Sequence, residues 1–154
     1  MIKTEQSITI DANVESAWDY VKEIERWAGL LPGCRDCSVI DPNNSRWTLK
    51  VGAGGLVRTV KVLVHIDHWQ GPEQVLFSFK LEGDPVEGGG SYRASRRGDR
   101  QTDVVMTVRV QGSGPMAPMW EGISKPLLPL LARSFAGKLK AEIEKAVEAR
   151  TPAV

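Results

Sequence analysis

Residues 14–39 read VESAWDYVKEIERWAGLLPGCRDCSV, and within this stretch the periodicity changes from helical to strand-like. Asn13 can cap a helix that begins at Val14. The apolar residues at helical spacing are Val14, Ala17, Trp18, Val21 and Ile24. The spacing predicts a helix over 14–25 and a short helical segment over 27–31, which ends at Pro32-Gly33. Two short helices therefore lead into a strand.

The flanking sequence has the period-2 alternation of β-strands. Residues 2–10 precede the helices and alternate through Ile2, Ile8 and Ile10. Six further strand-like runs follow the helices and are separated by turn residues at 41–44, 53–55, 70–73, 83–85 and 98–100. The predicted runs are 35–41, 46–52, 56–69, 74–82, 89–97 and 102–111. Short connections of this kind predict an antiparallel meander with one buried face.

The C-terminal part of the chain predicts a long amphipathic helix near 127–149. Its apolar stripe is formed by Leu127, Leu131, Phe135, Leu139, Ile143 and Val147. Pro126 and Pro129 predict a short segment, a bend and then the long helix. The complete order predicts an α+β fold, in which a curved seven-stranded antiparallel sheet wraps around the C-terminal helix and two short helices lie between the first and second strands.

Length and charge limit the functional classes. The 154 residues are the size of one domain, 1–154. Twenty Lys and Arg oppose 19 Asp and Glu, a balance that argues against a nucleic-acid partner. The N-terminal residues have no apolar signal-peptide core, and no apolar run is long enough to span a bilayer. We therefore expect a cytoplasmic protein.

Both cysteines lie in a Cys-x-x-Cys spacing, at Cys34 and Cys37. A zinc site would need two more ligands, and His65 and His68 are the only histidines. These two would lie on opposite faces of a regular strand, so a zinc site would require a bulge. A redox motif would open a helix, whereas this one leads into a strand. We predict neither a metal nor a cofactor.

The sequence resembles the START-like, Bet v 1-like (SRPBCC) superfamily of helix-grip proteins, and within it the CoxG group of carbon monoxide dehydrogenase proteins. The resemblance rests on residues 14–39, on VGAGGLVRTVKVLV at 51–64, and on GGGSYRASRRGDRQTDVVMTVRVQGSGPMAP at 88–118. It implies that Cys34 marks the elbow between the second helix and the second strand. It also implies a deep apolar pocket between the sheet and the C-terminal helix, for a lipid, sterol, quinone or polyketide.

Strand parity and the apolar C-terminal segment supply the predicted ligand-binding residues. From the sheet these are Trp47, Leu49, Val62, Val64, Phe77, Phe79, Tyr92, Met106 and Val108. From the closing segment they are Met119, Trp120, Ile123, Leu127, Leu131 and Phe135. Methionine and aromatic side chains suit an adaptable apolar site, although the same pattern also builds an ordinary filled core.

Two arginines, Arg58 and Arg96, have the inward parity of their strands and are included as residues that could meet a polar head group. The alternative, which we favour, places both at strand ends in water, because charged side chains are rarely buried unless they are paired.

The sequence thus predicts a carrier or accessory protein for a hydrophobic small molecule. The first alternative is a polyketide cyclase- or dehydratase-like enzyme, but the inward positions are almost all apolar and lack an acid–base or nucleophile–base pair. Gly88-Gly89-Gly90 precedes a strand, which is the wrong context for a phosphate loop. The second alternative is a domain with a filled core that assists the maturation of a partner oxidoreductase. A lid over 116–131 that contacts a membrane surface would extend the carrier hypothesis.

Overall fold

The computed structural model describes residues 1–53 and 56–150. Its elements are β1 (Ile2–Ile10), α1 (Val14–Val21), α2 (Ile24–Leu30), β2 (Cys34–Asp41), β3 (Asn44–Ala53), β4 (Leu56–Gln70), β5 (Gln74–Leu81), β6 (Val86–Gly98), β7 (Gln101–Gly112) and α3 (Ala117–Arg150). Part of the predicted turn at 53–55 and the last four residues of the predicted domain lie outside the described residues.

The seven strands form one antiparallel sheet in the order β1-β7-β6-β5-β4-β3-β2, and α3 packs against its concave face. The predicted α+β helix-grip fold is confirmed. In strands such as β5 and β7 one face is buried, as Val75 and Val104 illustrate with no exposed surface. No helix among the described residues is both long enough and apolar enough to cross a bilayer.

The boundary between the two short helices differs from the prediction. The expected helix over 14–25 ends at Val21, and α2 already begins at Ile24. The indole Nε1 of Trp27 donates a hydrogen bond of 2.7 Å to the Val21 carbonyl oxygen. A buried side chain thereby satisfies one of the carbonyls left free at the end of α1. Helical spacing alone does not predict this bond between a side chain of α2 and the backbone of α1.

The elbow after α2 depends on Gly33, which has a φ of +83°. Its carbonyl oxygen accepts a hydrogen bond of 2.8 Å from the backbone N–H of Lys50. A Cβ atom at Gly33 would lie 2.3 Å from the Lys50 carbonyl oxygen, so only glycine fits this close approach. Cys34 follows as the first residue of β2, at the predicted elbow.

The predicted break at the two prolines of the C-terminal segment is wrong, because α3 is one continuous helix with Pro126 and Pro129 inside it. Each proline removes one backbone hydrogen bond to the carbonyl four residues earlier, at Gly122 and Lys125. Both of those residues are exposed, so water can bond the released carbonyls. Packing of the opposite face of α3 on the sheet keeps the helix continuous.

Candidate functional site: a cavity between the sheet and α3

A cavity of about 240 Å³ lies between the concave face of the sheet and the helices. Its lining consists of Val21, Trp27, Leu31, Trp47, Leu49, Val60, Val62, Val64, Phe77, Phe79, Leu81, Val86, Ser91, Tyr92, Met106, Val108, Val110, Trp120, Ile123, Ser124, Leu127, Leu128, Leu131, Ala132, Phe135 and Leu139. The lining contains no Asp, Glu, Lys, Arg or His. Its hydroxyl-bearing residues are Ser91, Tyr92 and Ser124.

Glycines in β6 shape the sheet wall of the cavity. A Cβ atom at Gly90 would lie 2.1 Å from the Thr107 carbonyl oxygen and 2.7 Å from Cζ of Phe77. At Gly88 it would lie 2.6 Å from Cζ of Phe79. The absence of side chains on these inward positions lets both phenylalanine rings lie across β6. β6 begins at Val86, three residues before the predicted start, so the glycines lie inside the strand and not before it.

The helix pair closes one end of the cavity through Trp27. Its ring makes edge-to-face contacts with Phe77, at 5.7 Å between centroids, and with Phe135, at 6.3 Å. These contacts connect α2, β5 and α3, and such aromatic pairs add to the stabilisation from burial alone. The opposite end lies beside Trp120, which packs with Val86 and Val110. We call it the Trp120 end.

The structure brings most of the predicted ligand-binding residues together in this lining. They are Trp47, Leu49, Val62, Val64, Phe77, Phe79, Tyr92, Met106, Val108, Trp120, Ile123, Leu127, Leu131 and Phe135. Met119 is not among them, because its side chain is exposed on α3. Sequence reasoning missed the remaining lining residues, which are Val60, Leu81, Val86, Ser91, Val110, Ser124, Leu128, Ala132 and Leu139 from the sheet and α3, and Val21, Trp27 and Leu31 from the helix pair and the residue after it. The last three are the most informative. Their apolar helical spacing indicated burial but not that the buried face meets the cavity.

Arg58 and Arg96 also lie outside the lining, and both side chains are exposed. Arg58 forms an ion pair of 3.1 Å with Asp84, and its guanidinium lies over the ring of Trp120 at 5.1 Å from the centroid. Arg96 pairs with Glu15 near the start of α1 and lowers the pKa of that carboxyl through a hydrogen bond. Both arginines are therefore exposed and have protein partners.

Tyr92 is the one ionisable side chain among the lining residues of the cavity. Its residue is 2% exposed, and its hydroxyl has no hydrogen-bond partner among the described residues. Burial raises the pKa of this phenol, so it is protonated at neutral pH. The indole N–H groups of two other lining residues do have partners: Trp27 bonds Val21, and Trp47 bonds the Ser45 hydroxyl at 2.9 Å.

The cysteines and histidines lie apart from the cavity. Cys34 and Cys37 are half-buried free thiols, and burial raises the pKa of both. β4 does contain a bulge between Ile66 and His68, but both His65 and His68 are exposed on the sheet. In residues 1–53 and 56–150, no three His, Cys, Asp or Glu side chains are grouped so that they could hold a metal ion.

Residues 1–147 match the family described as polyketide cyclase / dehydrase and lipid transport. The fold is similar to a conserved protein from Geobacillus kaustophilus, with a TM-score of 0.80, 19% identity, and coverage of 94% of this chain and 97% of that one. It is also similar to the Zhui aromatase/cyclase from a Streptomyces species, with a TM-score of 0.70, 15% identity, and coverage of 99% of both chains.

A START superfamily protein from Mycobacterium smegmatis is similar as well, with a TM-score of 0.67, 14% identity, and coverage of 90% of this chain and 97% of that one. Identities this low show the shared fold alone. The search of curated proteins found no match. Because the family match spans nearly the whole chain, the protein belongs to the polyketide cyclase / dehydrase and lipid transport family.

Proposed function

We propose that this chain is a single-domain carrier or accessory protein that binds one hydrophobic small molecule in the cavity between the sheet and α3. The observation that carries the proposal is a cavity of about 240 Å³ whose lining has no ionisable side chain except the Tyr92 phenol. An apolar cavity of about 150 Å³ stays dry and accepts benzene. Transfer of a lipid, quinone or polyketide-like ring from water into such a site is favourable by about 25 cal/mol per Å² of apolar surface.

The same lining argues against the enzymatic alternative. A cyclase or dehydratase needs a group that can exchange a proton with the reacting atoms at neutral pH. Tyr92 is the one titratable side chain of the lining, and its raised pKa keeps the proton on the phenol. At the Trp120 end, Arg58 lies over the indole ring and is paired with Asp84. A binding role therefore fits the described residues better than catalysis.

Native mass spectrometry of the protein purified from its own host, followed by organic extraction, tests the proposal. We expect one apolar molecule per chain. Leu131→Trp should abolish its retention, because Leu131 lines the cavity and the larger ring occupies the ligand volume. The matched control is Leu130→Trp, one residue away on α3 and 59% exposed, which should retain the ligand. Protein that stays empty after exposure to lipids and quinones would refute the carrier function.

Membrane loading is the second part of the proposal. Met119 and Leu130 expose apolar side chains on the half of α3 that covers the cavity, as does Met116 in the turn just before the helix. Lys125 and Arg133 are exposed on the same helix. Apolar side chains accompanied by cations favour contact with an anionic bilayer surface. We expect the protein to co-sediment with vesicles of phosphatidylcholine and phosphatidylserine.

The double variant Met116→Ser/Met119→Ser tests that contact and should weaken co-sedimentation. Its control is Ile40→Ser, a change at an exposed apolar residue on β2, away from this face. If the double variant binds these vesicles as the unmodified protein does, this face does not contact the membrane.

The narrower resemblance to the CoxG group stays a prediction, together with the partner oxidoreductase and the cytoplasmic location that accompany it. The resemblance at the Pro-Gly-Cys elbow supports it. Co-purification of a defined oxidoreductase with the chain, lost in a variant that leaves ligand retention intact, would support an accessory role. Retention of ligand without such a partner would favour a carrier that acts alone.

A further inference from the structure

The buried Tyr92 hydroxyl points to a feature of the ligand itself. Tyr92 lies on β6 opposite Val75 of β5 and Met106 of β7, both of which are buried and apolar. The buried hydroxyls of Ser45 and Thr102 do have partners, since Ser45 accepts from Trp47 and Thr102 donates to the Ala12 carbonyl oxygen at 2.7 Å. A buried donor without a partner is rare in native proteins and calls for an explanation.

We infer that the ligand carries an uncharged oxygen, as in a ketone or quinone carbonyl, which accepts a hydrogen bond from the Tyr92 hydroxyl once ligand entry moves aside the side chains that cover this oxygen. This inference rests on the proposed function and narrows its ligand class. A hydrocarbon would leave the phenol unpaired. A carboxylate would find no cation in the lining, because Arg58 and Arg96 lie outside the cavity and are paired with Asp84 and Glu15.

The cavity also orients the ligand. Along β7, the lining runs from Met106, opposite Tyr92, to Val110, which packs with Trp120. Four strand residues span roughly 13 Å. A ligand whose carbonyl meets Tyr92 therefore extends its apolar body along the sheet toward the Trp120 end, where Arg58 covers the indole ring.

Two probes of equal shape isolate the hydrogen bond. 2-Acetylnaphthalene and 2-isopropenylnaphthalene differ only in a carbonyl oxygen that replaces a terminal CH₂. Isothermal titration calorimetry would compare their dissociation constants for ligand-free protein, for Tyr92→Phe and for Tyr20→Phe. Tyr20 is the other tyrosine of the chain and lies outside the cavity lining, so its variant is a matched loss of one phenolic hydroxyl.

We expect Tyr92→Phe to weaken binding of the ketone about fivefold to tenfold, the range of a single net hydrogen bond. The same variant should bind the hydrocarbon as tightly as before or more tightly, and Tyr20→Phe should change neither constant. If both probes bind and Tyr92→Phe affects them equally, the inference is wrong while the apolar binding function stands. If neither probe binds the unmodified protein and no lipid or quinone binds either, the proposed function fails and the inference fails with it.

Discussion

Replacement of Gly90 by alanine tests how the cavity wall is built. The new Cβ would lie 2.1 Å from the Thr107 carbonyl oxygen and 2.7 Å from the Phe77 ring. The ring could rotate away, but the carbonyl belongs to the backbone of β7 and can yield only if two paired strands shift. Overpacking of a tight core costs about 1–3 kcal/mol, and a backbone clash should place this variant at about 3 kcal/mol. For a domain of this size, that loss lowers Tm by about 6–12 °C.

Urea unfolding followed by tryptophan fluorescence would measure the change, with thermal unfolding as a second readout. The matched control is Gly137→Ala on α3, where an added Cβ meets no atom within 4 Å. Alanine there should stabilise the protein by about 0.5–1 kcal/mol, because glycine in a helix carries an entropic cost. If Gly90→Ala unfolds within about 0.5 kcal/mol of the unmodified protein, well below the overpacking range, the close approach of β6 and β7 does not explain the glycine.

Three further predictions concern groups outside the backbone. Tyr92→Phe should stabilise the ligand-free protein by about 1 kcal/mol in urea unfolding, because it removes a buried hydroxyl without a partner and keeps the ring. A loss of stability would mean that the hydroxyl is paired. The pKa of Glu15, lowered by the hydrogen bond from Arg96, should return toward 4.5 in Arg96→Gln when followed by NMR titration. Because the folded-state pKa of Glu15 is depressed, the pair contributes stability above about pH 4.5, and this contribution is lost as the pH falls through the folded-state pKa. An unchanged Glu15 pKa in the variant would exclude the pairing. Cys34 and Cys37 should react more slowly with a thiol reagent at about pH 7 than free cysteine does, because burial raises the pKa of both, and equal rates would contradict their half-buried positions.

Local sequence patterns predicted much of the fold correctly. The alternation of β4 through Val60, Val62 and Val64 identified a buried face, and all three residues are buried. Turn residues such as Asp41 were equally informative, because this carboxylate accepts a hydrogen bond of 2.8 Å from the Asn43 backbone N–H. Patterns failed where a contact between two elements decided the outcome, as at the end of α1, where the side chain of Trp27 in α2 bonds the Val21 carbonyl.

For the candidate site, too, local patterns predicted some residues correctly and others wrongly. Parity identified Phe77, Phe79 and Met106 as inward residues, because side chains on a strand alternate strictly between two faces. It also selected Arg58, since parity continues to the end of a strand whether or not the position is covered. Arg58 is instead exposed and pairs with Asp84, which lies in the turn before β6 and is remote from Arg58 in sequence.

The sequence by itself determined the order of the elements, the buried faces of strands such as β4 and β7 and the apolar character of the site, because these follow from periodicity over short stretches of chain. Only the tertiary structure decided that the apolar face is not completely filled, that the helix pair closes one end through Trp27, and that the Tyr92 hydroxyl lies in the wall without a partner among the described residues. A cavity is the volume left over when distant elements pack. Its existence and its polar points depend on distances that no local pattern encodes.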